Sequence, residues 1–211
     1  MPHLNQTSLL SIGLTGGLAS GKSFVGHALA DLGCHLIQAD ELGHQVMAKG
    51  AEAYAPILQQ FGQEILDGHQ EIDRRKLGAK VFENPELLAK LSAIVHPAVR
   101  ARSRQLEASF EQEDPHGIIV YEAAILIETG SFRDYDRLIV ASCTEQQQVE
   151  RAISRDHLSK EDVENRLRRQ MPLEQKVKYA DYVIDTSGSK ELTLDQTRTV
   201  YVSLRRLQQK P

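Results

Sequence analysis

The stretch Gly16-Gly17-Leu18-Ala19-Ser20-Gly21-Lys22-Ser23 decides how the rest of the chain is read. It satisfies G-x-x-x-x-G-K-S/T at every fixed position, and its flanks supply the context that pattern needs. Leu9-Leu10-Ser11-Ile12-Gly13-Leu14 predicts a strand before it, and Phe24, Val25, Ala28, Leu29 and Leu32 at helical spacing predict a helix after it. Glycines let the backbone turn back so that successive N–H groups surround phosphate oxygens, and the helix N-terminus adds partial positive charge. In such a loop Lys22 reaches the β and γ phosphates and the Ser23 hydroxyl ligates Mg2+. A plain Gly/Ser turn is the competing account, and the strand-loop-helix context weighs against it.

Four more short apolar runs follow: His35-Leu36-Ile37-Gln38, Ile118-Ile119-Val120-Tyr121, Leu138-Ile139-Val140-Ala141 and Tyr182-Val183-Ile184. Alternating with helical patterns, they predict an α/β fold, a P-loop core with a five-stranded parallel sheet flanked by helices. Ligands of such sheets lie beyond the carboxyl ends of the strands, where Asp40 and Glu122 fall. The roughly 75 residues between the second and third strands far exceed a minimal crossover and must hold structure of their own. Leu87, Leu88, Leu91, Ile94 and Val95, after the start signal Asn84-Pro85-Glu86, make that segment helical. Thr144 with Gln147, and Ser159 with Asp162, predict two capped helices, the first carrying Val149 and Ile153, the second stopping near Met171-Pro172. The expected division is a core of residues 9–40, 115–145 and 179–211, a helical insertion at 41–114, and a helical lid at 146–178.

Composition narrows the class. Of 211 residues 41% are hydrophobic, and 25 Lys and Arg against 29 Asp and Glu give a net charge of −4, the balance of a globular chain rather than of a nucleic-acid binder. Arg151 to Lys178 reverses the sign, with eight Lys and Arg against five Asp and Glu, so basic charge gathers in the predicted lid. The longest unbroken apolar run, Ala123 to Ile127, has five residues, far short of the roughly 18 that span a bilayer. Met1 to Ser8 has no Lys or Arg, so no secretory signal is read there and a cytoplasmic location is expected. Cys34 and Cys143, far apart in sequence and without metal-ligand spacing, are expected as buried reduced thiols.

No N-K-x-D tetrapeptide and no L-S-G-G-Q-type signature occurs, which leaves phosphoryl transfer to a small molecule, a chemistry of positioning and charge neutralisation under a basic flap. Asp40 is placed to orient an attacking hydroxyl, with helix capping the alternative. Arg151 and Arg155, four apart on one helix face, can address the same phosphates, or pair with Glu150 and Asp156 on a solvated surface. Arg74 and Arg75 suit a pyrophosphate of the acceptor, against simple surface salt bridging. His96, preceding Pro97, predicts a turn facing the acceptor, or a structural histidine. Glu122 and Glu128 are read either as metal or substrate contacts or as capping and ion-pairing groups.

Taken together, these residues resemble the dephospho-CoA kinase family. The resemblance runs from about Ser11 to Gly188 through Leu14-Thr15-Gly16-Gly17 to Ser23, Ala39-Asp40, Arg74-Arg75-Lys76-Leu77, Val81-Phe82, His96-Pro97, Leu126-Ile127-Glu128, Arg151, Arg155-Asp156, Arg166, Gln170 and Ala180-Asp181. It departs at Glu122-Ala123-Ala124, where the family usually has D-x-P, and at Thr186, where it usually has Asn. The resemblance implies ATP-dependent phosphorylation of the ribose 3′-hydroxyl of dephospho-CoA with Mg2+, in a P-loop kinase core bearing a substrate domain and a lid. It implies catalytic roles for Asp40, Lys22 and Arg151, and ATP contacts from Gly17, Leu18, Ala19, Ser20, Gly21, Lys22, Ser23, Phe24 and Arg155. Acceptor contacts would come from Asp40, Arg74, Arg75, His96 and Glu122. The implied partners are these small molecules alone, for a monomer or weak homo-oligomer. A nucleoside monophosphate kinase and a macromolecule-binding P-loop ATPase are the alternatives.

Overall fold

The computed structural model describes residues 9–81, 84–156 and 159–209. Phe82, part of the resemblance, lies outside them. The elements run β1 (Leu10–Gly16), α1 (Lys22–Asp31), β2 (His35–Gln38), α2 (Ala39–Met47), α3 (Tyr54–Phe61), α4 (Arg74–Val81), α5 (Pro85–Glu113) and β3 (Ile118–Glu122). Then follow β4 (Arg137–Ser142), α6 (Glu145–Asp156), α7 (Lys160–Arg168), α8 (Leu173–Val177), β5 (Tyr182–Asp185) and α9 (Lys190–Gln208). Contacts divide the chain into two compact units, the described parts of Met1–Gln38 with Ser109–Pro211, and Ala39–Ala108.

In the first unit all five strands pair in parallel in the order β2-β3-β1-β4-β5. Ile12, Leu14, Val120 and Ile139 are wholly buried in the central strands, and Val25 and Leu29 of α1 pack with Val200 and Leu204 of α9 in the same core. That is why these strands read as nearly continuous apolar runs rather than as alternating ones. The chain leaves β1 toward β2 and leaves β3 toward β4 on the other side, so the two connections diverge at the carboxyl ends of β1 and β3. A crevice at that switch point is the binding place of open parallel sheets. β1 runs two residues further than the apolar pattern predicts, because Thr15 and Gly16 continue the ladder opposite Val140 and Ala141.

The second unit is helical. Val46, Ala53, Ile57, Phe61, Ile65, Leu77 and Val81 form its core, with Leu87, Leu91, Ile94, Val95, Ala98 and Val99 of α5 packed against it. The expected turn at His96-Pro97 is absent: Pro97 lies inside α5, and His96 is an exposed helical residue. A proline inside a helix removes one hydrogen bond and costs about 3 kcal/mol. The apolar stripe runs through Pro97 on both sides, from Leu87 to Val99, and its burial offsets that cost.

Between β4 and β5 the capping signals hold at atomic level. Thr144 Oγ1 accepts the Gln147 N–H and Gln147 Oε1 accepts the Thr144 N–H, both at 3.2 Å, and Ser159 Oγ accepts the Asp162 N–H at 3.1 Å. The second helix stops at Arg168 rather than near Met171, and the five residues Leu173–Val177 form a further helix after Pro172. No helix of the described residues is long and apolar enough to cross a membrane.

Candidate active site

The glycine-rich loop joins β1 to α1 at the switch point. Gly21, with φ of 85°, makes the left-handed step that lets α1 start at Lys22, a conformation glycine adopts without strain. No acidic residue occupies the first turn of α1, so the positive end of its dipole is unopposed within the helix. Beside it, register places Glu122 at the end of β3 between Leu14 and Gln38. The buried carboxylate is shared by three groups. Ser23 Oγ donates to Oε1 at 2.5 Å, Gln38 Nε2 donates to Oε2 at 2.9 Å, and Lys22 Nζ lies 3.8 Å from Oε1. Lys22 and Ser23, the two side chains assigned to phosphate and metal, therefore meet a common carboxylate. Glu122, expected at the acceptor, is instead engaged with the loop, because β3 is the strand next to β1. A hydroxyl and a carboxylate at this point are the hard oxygen donors that Mg2+ takes alongside substrate phosphates.

The far side of the loop is held by side chains the motif does not contain. Lys176 of α8 is completely buried; its Nζ donates to Gly16 O at 3.2 Å and to Ala124 O at 2.6 Å, and it pairs with Glu128 Oε1 at 2.8 Å. The segment 146–178, expected as a basic flap over the phosphates, thus gives one lysine wholly to the interior. Gln148 Nε2 donates to Leu18 O at 2.7 Å, and Gln170 Oε1 accepts the Leu18 N–H at 3.0 Å. Leu18, expected to offer its amide to phosphate, has that amide turned to Gln170 here, and the Ser20 N–H donates to Gly17 O at 3.2 Å. The buried residues of α6 are Gln148 and Ala152, while Val149 and Ile153 are half-buried. The helix covers a polar backbone loop, so its inward face carries an amide. Hydrophobic periodicity holds no signal for Gln148, Gln170, Lys176 or Thr186.

Thr186, just past β5, ties the loop to α6. Its hydroxyl lies 2.7 Å from Ser20 O and accepts from Arg151 Nη1 at 3.3 Å, while its carbonyl accepts Arg151 Nη2 at 2.7 Å. Arg151 is therefore brought beside the phosphate loop, not out to Glu150, which accepts from Gln146 instead. Arg155 does take the surface alternative, pairing with Asp156 through two bonds of 2.7 and 2.9 Å, which hold its guanidinium more firmly protonated than usual. Cys34 is buried as expected; Cys143 is only half-buried, and desolvation pushes its thiol up despite the neighbouring Arg151 charge.

Phe24, expected at ATP, is half-buried in the first turn of α1, and the remaining residues expected at the acceptor belong to the helical unit. Asp40 is exposed in the first turn of α2, inside the helix rather than capping it. Arg74, at the start of α4, lines a cavity of about 130 Å³ with His44, Met47, Ala48, Glu71 and Ile72. Arg75 is exposed, and its backbone N–H is capped by Asp73 Oδ1 at 2.9 Å. His96 lies on the exposed side of α5.

A phosphate loop opening the first helix at the switch point of a parallel sheet, with a carboxylate on the next strand and an arginine helix against it, defines a P-loop kinase. The family model for dephospho-CoA kinase matches residues 10–191. Dephospho-CoA kinase from Aquifex aeolicus is 43% identical over 195 residues, 92% of this chain and 97% of that one. A solved structure from Thermus thermophilus is 31% identical with a TM-score of 0.80, covering 92% of this chain and 97% of that one. Dephospho-CoA kinase from Campylobacter jejuni is 25% identical with a TM-score of 0.62, covering 93% and 98%. The chain belongs to the dephospho-CoA kinase family, and it is an ATP-dependent phosphotransferase.

Proposed function

We propose that this chain transfers the γ-phosphoryl group of ATP to the ribose 3′-hydroxyl of dephospho-CoA, giving CoA and ADP, and that it does so with Mg2+. The observation that carries the reading is the convergence of Lys22 and Ser23 on Glu122 at the switch point. Ser23 and Glu122 would hold the metal, which supplies neutralising charge to the phosphate oxygens. Lys22 grips the triphosphate as a point charge, and the Ala19 amide with those of Gly21 to Phe24 lines its oxygens at the positive end of α1. Arg151 places a second cation beside the loop, where charge builds as the phosphoryl group leaves. Asp40 accepts a hydrogen bond from the attacking hydroxyl and so orients it. In a loose transition state, with charge already spread over the transferring group, orientation outweighs early proton removal. Arg74 and Arg75 hold the acceptor's pyrophosphate through guanidinium forks. Residues 41–114 act as the acceptor-binding part, and residues 146–178 as the lid that excludes water.

The family match does not favour a nucleoside monophosphate kinase or a macromolecule-driven ATPase. The deciding experiment offers ATP and Mg2+ with a panel of acceptors and locates the new phosphate by ³¹P–¹H correlation. Phosphate on the 3′-oxygen of dephospho-CoA is expected. Turnover confined to nucleoside monophosphates, or ADP without any phosphorylated small product, overturns the reading.

A further inference from the structure

We propose that Gln148 is a positioning residue for ATP, acting through the Leu18-Ala19 peptide of the phosphate loop. The inference rests on the reading of that loop as the ATP site and adds a residue outside its motif.

Gln148 is 4% exposed and donates from Nε2 to Leu18 O at 2.7 Å. A trans peptide is planar, so the Leu18 carbonyl and the Ala19 N–H point in opposite directions from one rigid plane. Holding the carbonyl therefore aims the N–H. The neighbouring amides are already directed elsewhere, Leu18 to Gln170 and Ser20 to Gly17 O, so here the Ala19 amide is the one whose direction depends on this plane.

That plane needs holding. Ala19 has φ of 52°, a left-handed conformation that is unfavourable for a non-glycine residue and persists only where surroundings enforce it. Gln148 also presses on the preceding residue: a Cβ on Gly17 would lie 2.1 Å from its Nε2, so a glycine at this variable position of the motif makes room for the amide. α6 is fixed in place by its neighbours, with Gln147 Nε2 donating to Ser187 O at 2.8 Å and Arg151 bound to Thr186. The side chain thus reaches the loop from a secured helix.

The test compares wild type with Gln148→Leu, which keeps bulk and loses the donor, and Gln148→Asn, which keeps the amide one methylene short and guards against misfolding of the first. Measured are melting cooperativity, ATP affinity by calorimetry, and KM for ATP and for dephospho-CoA separately. Losing control of one amide-to-phosphate hydrogen bond is expected to weaken ATP binding and raise its KM about tenfold or more in both variants. KM for dephospho-CoA stays within about twofold, a split that loss of packing alone does not produce. Unchanged ATP affinity in a cooperatively folded variant, or equal shifts in both KM values, overturns the proposal. Failure of wild type itself to bind ATP would instead remove the underlying site reading.

Discussion

The buried Lys176–Glu128 pair makes an asymmetric prediction that follows from who is left behind. Glu128→Leu strands an ammonium group that is 0% exposed, with only the carbonyls of Gly16 and Ala124 for company. Breaking a buried pair in this way costs about 3–5 kcal/mol. At about 2–4 °C per kcal/mol for a chain of this size, the melting temperature falls by about 6–20 °C. Lys176→Met is milder. Glu128 keeps 23% exposure and the Met171 N–H at 3.0 Å, and Ala124 O keeps Thr15 Oγ1 at 3.1 Å, so the main loss is the donor at Gly16 O, about 1–3 kcal/mol. The double variant Lys176→Met/Glu128→Leu replaces the pair with apolar groups and recovers stability relative to Glu128→Leu alone, a coupling of about 1–3 kcal/mol. Urea and thermal denaturation followed by circular dichroism on all four proteins read these differences. If Glu128→Leu is the gentler single change, or if the two losses simply add, Lys176 is not the desolvated, pair-dependent cation described here.

Arg151→Ala is expected to lower kcat by about 10³-fold or more while ATP affinity changes little, as for an arginine that acts on the transferring group. A kcat within tenfold of wild type, with the loss showing only in melting temperature, would reduce the residue to a strut on Thr186. Asp40→Asn, at an exposed position of α2, should leave ATP binding and stability intact and cut transfer by about 10²- to 10⁴-fold; intact transfer in a direct product assay contradicts its role. Burial pushes the Cys34 thiol from its ordinary 9.0 up to about 12, so the folded chain keeps a proton that the unfolded chain releases. Its contribution to stability is complete below pH 9.0 and is lost as pH rises toward 12. A thiol reagent at pH 8 should therefore modify the half-buried Cys143 and spare Cys34 until denaturant is added, and mass spectrometry of native labelling that finds Cys34 modified at the denatured rate refutes this.

Local chemistry was readable in advance wherever cause and effect sit within a few residues. The phosphate loop, the five strands and the two helix caps at Thr144 and Ser159 depend on neighbours up to about four positions away, and all are present. His96-Pro97 shows the limit of local reasoning: the dipeptide disfavours helix by itself, yet an apolar stripe on both sides carries α5 through it. Glu122 shows another, since only the β1–β3 pairing turns its carboxylate to Lys22 and Ser23.

The chain's order of residues was thus enough to establish a triphosphate-binding loop on a parallel α/β core and to point to the family. What supports that loop from behind became visible only in three dimensions. Gln148, Gln170, Lys176 and Thr186 reach it from 130 to 166 residues away. A buried glutamine or lysine carries no periodicity of its own; its position is set by carbonyls and amides that need partners, and those are brought together only when the sheet closes around them.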